Sequence, residues 1–163
     1  GLQKVIEDVK KENDKEFSYK NSKIKIEGIS NKYKVIFELS EKEKKNRICN
    51  ILKAIKNGLY AQSSNEANTI IPLFLIAAGV KIPAPVFHPY IEITPINDKI
   101  HKVIGIEDGL KNSWIESKVF IMDSNKIKLI KEEISENLRD KIINDWNEFL
   151  REIGLENNQQ QTT

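Results

Sequence analysis

Residues 57–80, NGLYAQSSNEANTIIPLFLIAAGV, contain one charged side chain, that of Glu66, in a 163-residue chain that is 31% charged. The first half of this stretch is small and polar, and the second half is a continuous apolar run. A short apolar run bounded by turn residues is typical of a strand that is buried on both faces. Pro72 limits pairing near its start, and Gly79 marks its end. The sequence therefore predicts a polar loop, residues 61–68, directly before a buried strand.

The segment before that loop, from Glu41 to about Tyr60, predicts an amphipathic helix. Ser40 is a suitable N-cap, and Glu43 three residues later completes the pattern of a capping box. Apolar residues then recur at helical spacing and predict the buried face: Ile48, Ile51, Leu52, Ile55 and Leu59. Basic residues fall on the remaining side, which predicts a solvent-facing basic surface: Lys45, Lys53 and Lys56.

The other segments alternate helical and strand patterns in an order that predicts an α+β fold. In chain order the expected elements are a helix (2–12), a hairpin turning at 28–32, the basic helix (41–60), a strand (70–79), an edge strand or extended loop (86–93), a short helix (108–113), a hairpin (116–130) and a long helix (134–153). We expect one α+β domain over residues 1–155, followed by a disordered polar tail, residues 156–163.

The charges are unevenly distributed, although the net charge is only +2. Residues 41–60 carry six basic and two acidic side chains, a net charge of +4, whereas residues 132–156 carry three basic and eight acidic side chains, a net charge of −5. Such a distribution predicts an anionic ligand at the basic segment, or head-to-tail packing of copies. Two ordinary solvated helix faces are the alternative.

Motifs that would indicate catalysis or metal binding are absent from the sequence. His88 and His101 lie thirteen residues apart, with no nearby cysteine and no His-x-x-x-His spacing. The sequence also has no glycine-rich phosphate loop and no G-x-S-x-G motif. We therefore expect a protein that is not an enzyme and that uses no cofactor or metal. A small hydrolase using His88 is the weakest alternative.

The sequence predicts neither a membrane span nor a disulfide. It has no run of about 18 apolar residues, and charged residues interrupt the apolar positions of residues 2–12, unlike a signal peptide. The single cysteine, Cys49, excludes an internal disulfide and fits a reducing compartment. Its place within a helical pattern predicts a small buried apolar side chain. We expect a cytoplasmic protein.

Binding is the remaining class of function. The polar loop supplies neutral hydrogen-bonding side chains: Gln62, Ser63, Ser64, Asn65 and Asn68. Such groups contact phosphate and sugar well when a helix end holds them nearby, and the lysines of the preceding helix would add electrostatic attraction. Two alternatives stay open: an ordinary connection between helix and strand, or a protein-interaction scaffold whose acidic last helix meets a basic partner.

The order of these motifs resembles a known family. The hairpin strand YKVIFELS, the basic helix EKEKKNRICNILKAIKNGL, the loop AQSSNEAN and the strand IIPLFLIAAG are similar to the latter half of the Cascade backbone subunit, the CRISPR-associated Cas-seven (DevR-like) family of type I systems. The residues that match its helix pattern are Arg47, Ile51, Leu52, Ala54 and Ile55, and those that match its strand pattern are Pro72, Ala77 and Ala78. The similarity covers roughly residues 33–80.

This resemblance implies a modified RNA-recognition-motif (ferredoxin-like) core with an antiparallel sheet and packed helices. It implies that copies of the chain assemble along a CRISPR RNA with other Cascade subunits, holding the RNA backbone without reading its sequence and without catalysis. The RNA-lining residues it implies are Lys53, Lys56, Asn57, Gln62, Ser63, Ser64, Asn65 and Asn68.

The sequence departs from the family in two respects. Family members often carry arginine in the loop where Gln62 and Asn65 stand here, and only three arginines occur in the whole chain, so lysine has to supply most of the phosphate contacts. Family members are also longer, and the first core strand and helix have no counterpart before Phe17. The resemblance therefore predicts a fragment or a minimal relative.

Overall fold

The computed structural model describes residues 16–19, 22–29, 32–63 and 66–155. The helix expected over residues 2–12 and the tail expected over residues 156–163 lie outside the described residues. The chain divides into two compact units, Gly1–Ile48 and Cys49–Thr163. The single domain over residues 1–155 stays a prediction.

Short strands and few helices make up the described part of the chain. The strands are β1 (Glu16–Tyr19), β2 (Ser22–Ile29), β3 (Lys32–Leu39), β4 (Leu59–Ser63), β5 (Glu66–Ile70), β6 (Leu75–Ala77), β7 (Glu92–Pro95), β8 (His101–Ile104), β9 (Val119–Met122), β10 (Ile127–Leu129) and β11 (Ile142–Ile143). The helices are α1 (Glu41–Asn57), α2 (Ile106–Leu110), α3 (Glu136–Arg139) and α4 (Trp146–Glu152), and a 3-10 turn lies at Lys131–Glu133.

The first unit contains a three-stranded antiparallel sheet in the order β1-β2-β3. The predicted hairpin is confirmed, since β2 and β3 pair from Ser22 and Leu39 to Ile29 and Lys32. No pattern predicted β1, which adds a third strand at the edge of this hairpin. Ile24 on the central strand is buried, whereas Phe37, its partner on β3, is exposed.

In the second unit, β9 is the central strand of a sheet with the order β11-β9-β6. Val119, Phe120 and Ile121 are almost completely buried, so β9 is the strand that is covered on both faces. The apolar run 70–79 was expected to take that place. This prediction was wrong: only Leu75–Ala77 pairs with β9, with half-buried side chains, because Ile70 belongs to β5 and Pro72 has no N–H to donate.

The expected hairpin over residues 116–130 is also wrong. β9 and β10 exist, and the Ser124 hydroxyl accepts hydrogen bonds from Lys126 N and Ile127 N in the turn between them. However, β10 pairs with β8 in a separate sheet of order β10-β8-β7. The turn is therefore a corner at which the chain leaves one sheet and enters another.

The long helix expected over residues 134–153 is broken into α3, β11 and α4. Ile142 and Ile143 pair in parallel with Val119 and Phe120, because β-branched residues favour a strand beside a buried partner strand. A new helix then starts at Asp145, whose Oδ1 accepts a hydrogen bond of 2.6 Å from Glu148 N. Most of the apolar positions in the predicted stripe are nevertheless buried: Ile134, Leu138, Trp146, Phe149 and Leu150.

Two smaller predictions met different outcomes. The short helix expected near residues 108–113 is confirmed as α2, which begins and ends slightly earlier. The segment 86–93 is mainly a loop that inserts Val86 and Phe87 into the core, and β7 begins only at Glu92.

The α+β class, the antiparallel sheets and the packed helices expected from the sequence are confirmed, and they are compatible with an RNA-recognition-motif core. Parallel pairing also occurs, between β8 and β10 and between β9 and β11. Within the described residues, no helix is long and apolar enough to cross a membrane.

A glycine joins α1 to β4. The helix ends at Asn57 rather than near Tyr60, because Gly58 adopts a left-handed φ of 92° that ends the helical hydrogen bonding. A Cβ at this position would lie 2.7 Å from the carbonyl oxygen of Ile70, on the strand paired with β4. Glycine is therefore required both for the turn and for the close approach of β5.

We expect Gly58→Ala to lower the free energy of unfolding by roughly 2–3 kcal/mol, because it combines backbone strain with a backbone clash. Gly154→Ala is the matched control: its φ is 72° but nothing lies within 4 Å of the added Cβ, so strain alone should cost about 1 kcal/mol. Urea unfolding followed by circular dichroism measures both values. Equal losses for the two variants would contradict the close contact at Gly58.

Candidate nucleic-acid interface

The residues expected to line RNA lie at the end of α1 and in the segment after it. That segment was predicted to be a polar loop, and this prediction was wrong: β4 and β5 form an antiparallel hairpin in which Leu59 pairs with Ile70 and Ser63 pairs with Glu66. Tyr60, Thr69 and Ile70 favour strands, and together with Leu59 they form the two residue pairs at the base of the hairpin. Its small polar residues therefore lie towards the tip rather than in an irregular connection.

The hairpin places the predicted contact residues at defined strand positions. Gln62 and Ser63 belong to β4, and Asn68 belongs to β5, where it pairs with Ala61. Ser64 and Asn65 lie outside the described residues. The structure thus brings three of the five polar residues into one two-stranded element that follows directly from α1.

Lys53 and Lys56 are not on an open helix face as expected. Both are half-buried, and Lys56 Nζ lies 6.0 Å from the centre of the Trp146 ring, close enough for a weak cation–π contact. Lys56 Nζ also donates a hydrogen bond of 3.4 Å to Oδ1 of Asn57, the exposed last residue of the helix. The two lysines are therefore partly covered by the protein rather than fully open to solvent.

This arrangement follows from which face of α1 is buried. Cys49 is buried and Leu52 packs beside it in a cluster with Phe120, Trp146 and Phe149. Most of the predicted apolar stripe is instead exposed: Ile48, Ile51, Ile55 and Leu59. The stripe prediction was therefore wrong except at Leu52, whereas the buried position expected for Cys49 is confirmed. Helical spacing identified the helix but not which side of it meets the core.

The first half of α1, residues 41–48, lies in the first unit and carries further basic side chains. Lys42 and Lys45 are exposed and form no ion pair with any described residue. Lys44 instead pairs with Glu41 at 2.7 Å, and Arg47 pairs with Glu43 at 2.8 Å. Among the described residues, the ion pairs of this half of the helix thus involve Lys44 and Arg47.

The start of α1 is stabilised by its N-cap, Ser40, and by the ion pair between Lys44 and Glu41. Ser40 Oγ accepts a hydrogen bond of 3.2 Å from Glu43 N, as the capping-box pattern predicts. A hydrogen bond from Lys44 lowers the pKa of Glu41 and raises the pKa of Lys44. Both partners thus stay charged around neutral pH and contribute no net positive charge.

Tyr60 is a further candidate that the sequence patterns did not identify. Its side chain is exposed at the start of β4, three residues after Asn57. An exposed aromatic ring is a suitable surface for stacking a nucleobase. The signal was present in the sequence, since an aromatic residue directly follows the basic helix, but the expected helix extended over it.

The histidines and the acidic segment are the other places where a site was considered from the sequence. Within the described ranges, no group of three or more His, Cys, Asp and Glu side chains is placed to hold a metal ion. His88 is exposed in the loop before β7, and His101 is half-buried at the start of β8. The acidic segment is partly neutralised by the chain's own lysines, since Glu133 pairs with Lys102 and Glu148 with Lys118.

We expect the thiol of Cys49 to react slowly in the folded protein, because it is buried under the aromatic cluster. With a chromogenic disulfide reagent, labelling in buffer should be at least about 100-fold slower than in denaturant, since reaction requires opening of the structure. Equal rates in buffer and in denaturant would show that this face of α1 is open to solvent.

Comparison with known proteins gives one match. Residues 4–103, more than half of the chain, match a family model described as the CRISPR-associated negative auto-regulator DevR/Csa2. No curated protein and no solved structure shows significant similarity. The matched range contains α1 and the β4–β5 hairpin, together with the first sheet.

Proposed function

The chain belongs to the DevR/Csa2 family of CRISPR-associated proteins, and on this basis we propose that it is a non-catalytic backbone subunit that holds CRISPR RNA in a type I surveillance complex. The proposal assigns it to the cytoplasm, with further copies of itself and other Cascade subunits as partners. The observation that carries it is the direct succession of a basic helix and a polar hairpin within the matched range.

Electrostatics supports this proposal. Of the six basic side chains of α1, the two near its end, Lys53 and Lys56, precede the hairpin within about two helical turns. Lysine ammonium groups attract phosphates as point charges, without the bidentate geometry of arginine. An interface of this kind favours the RNA backbone over any particular base.

The composition of the β4–β5 hairpin supports the same proposal. Hydroxyl and amide side chains, the types that Ser63, Gln62 and Asn68 carry, commonly contact phosphate and sugar oxygens in nucleic-acid complexes. Such contacts position a strand but carry no sequence information. Stacking of a base on Tyr60 would be equally tolerant of sequence, because every base has a π-face. We therefore propose binding that is strong at low salt and similar for unrelated RNA sequences.

Fluorescence anisotropy with two unrelated single-stranded RNAs of about 30 nucleotides tests the proposal. The dissociation constants of the two RNAs should agree within about threefold, and both should rise steeply with salt because each phosphate contact releases counterions. Absence of binding at low salt, or binding of one sequence alone, would contradict the proposed function.

The double variant Lys53→Glu/Lys56→Glu should weaken binding of both RNAs by at least about tenfold and reduce the slope of log affinity against log salt by about 1.4, or 0.7 for each contact. The matched control is Lys126→Glu/Lys128→Glu, which makes the same charge change at two exposed lysines near β10. Circular dichroism and thermal melting verify that both variants fold. Equal weakening by the two variants would indicate a general charge effect rather than a site at the end of α1.

A further inference from the structure

Lys56 makes two contacts at the end of α1 that leave part of its ammonium group available. Its Nζ lies 6.0 Å from the centre of the Trp146 ring and donates a hydrogen bond of 3.4 Å to Asn57 Oδ1. Among the described residues, the ion pairs do not include Lys56. Because an ammonium group has three N–H donors, at least one of them remains for a ligand.

The ring that Lys56 contacts is itself held firmly. Trp146 is 8% exposed, with the Phe120 ring centre at 4.8 Å and the Phe149 ring centre at 5.4 Å. It is also the first residue of α4, directly after the N-cap Asp145. A ring packed in this way does not follow the motions of a lysine side chain, so the contact restrains Lys56 rather than Trp146.

The indole of Trp146 is used through its aromatic face. Its Nε1 is buried and donates a hydrogen bond to no described residue, although a buried indole N–H usually has a partner. A hydrogen bond within the described part of the chain therefore does not account for a tryptophan at this position. The indole does present the aromatic face that attracts a lysine ammonium most strongly, and its contact with Lys56 uses that property.

We propose that Trp146 is a positioning residue for RNA: it holds the ammonium group of Lys56 at the end of α1, and a remaining N–H of Lys56 donates to a backbone phosphate. This inference rests on the proposed function and names how one lysine of that interface is oriented. A free lysine side chain loses rotamer freedom when it binds a phosphate. Because the contact with Trp146 restricts Lys56 before RNA arrives, less of that entropy is lost on binding.

A positioning role differs from a direct contact in its salt dependence. Trp146 carries no charge, so replacing it changes the affinity for RNA but not the number of counterions that RNA releases. Removing the charge of Lys56 changes both, and it lowers the slope of log affinity against log salt by about 0.7.

Fluorescence anisotropy with the two unrelated RNAs tests the inference. Trp146→Phe keeps an aromatic ring in the cluster but gives Lys56 a smaller and weaker face, so the dissociation constants should rise about three- to tenfold with unchanged salt slopes. In a Lys56→Met background the same substitution should change them by less than about 1.5-fold, because the two residues act as one unit. In a Lys56→Arg background, which restores the cation, the effect of Trp146→Phe should return.

Phe149→Leu is the matched control, because it alters the same aromatic cluster on α4 but keeps the ring that contacts Lys56. It should leave the affinity for RNA unchanged. Circular dichroism and thermal melting verify that each variant folds.

Fluorescence of the free chain gives a second measurement, which requires neither RNA nor a change in the aromatic cluster. Trp114→Phe leaves Trp146 as the one tryptophan of the chain. In that chain Lys56→Met should shift the emission of Trp146, because it removes a charge 6.0 Å from the ring centre. Lys126→Met, which removes an exposed lysine near β10, should not shift it.

The outcomes separate this inference from the proposed function. If the unsubstituted chain binds RNA, the inference alone is overturned by any of three results: unchanged Trp146 emission, the same effect of Trp146→Phe with and without the Lys56 ammonium, or equal weakening by Phe149→Leu. Absence of RNA binding by the unsubstituted chain would overturn both.

Discussion

The arrangement of the second unit depends on one aromatic cluster. Phe120 of β9 meets Trp146 edge-on, with ring centres 4.8 Å apart, and Phe149 lies 5.4 Å from Trp146 and 5.9 Å from Phe120. Cys49 of α1 packs into this cluster, so the aromatic rings decide which side of α1 is buried. The half-buried lysines and the exposed aliphatic residues of α1 follow from that choice, whereas the turn into the hairpin depends on Gly58.

Sequence patterns correctly predicted the elements that depend on contacts between residues close together in the chain. The Ser40 cap, the helical spacing after it and the alternation of β2 and β3 were sufficient to identify α1 and the first hairpin. The last helix was mispredicted, because Ile142 and Ile143 fit a helical stripe but pair with β9, a partner that local periodicity cannot reveal. For the same reason β9 and β10 resembled a hairpin although they belong to different sheets.

The candidate interface was likewise only partly predictable from the sequence. Lysine and small polar residues in sequence order predicted a binding segment after α1, and the family match covers that segment. Their geometry was not predictable, because the exposure of Lys53 and Lys56 depends on contacts made by Cys49 and Trp146, which lie almost a hundred residues apart in the chain. Tyr60 was missed because Gly58 ends the helix earlier than the apolar spacing indicated.

In the proposed function, RNA contacts the end of α1 and the hairpin that follows it. Ultraviolet cross-linking of the chain to two unrelated single-stranded RNAs, followed by mass spectrometry of the linked peptides, tests it most directly. The account predicts that both RNAs cross-link within residues 53–70, with Tyr60 as a principal position. Cross-links confined to other segments, or at different segments for the two RNAs, would contradict it.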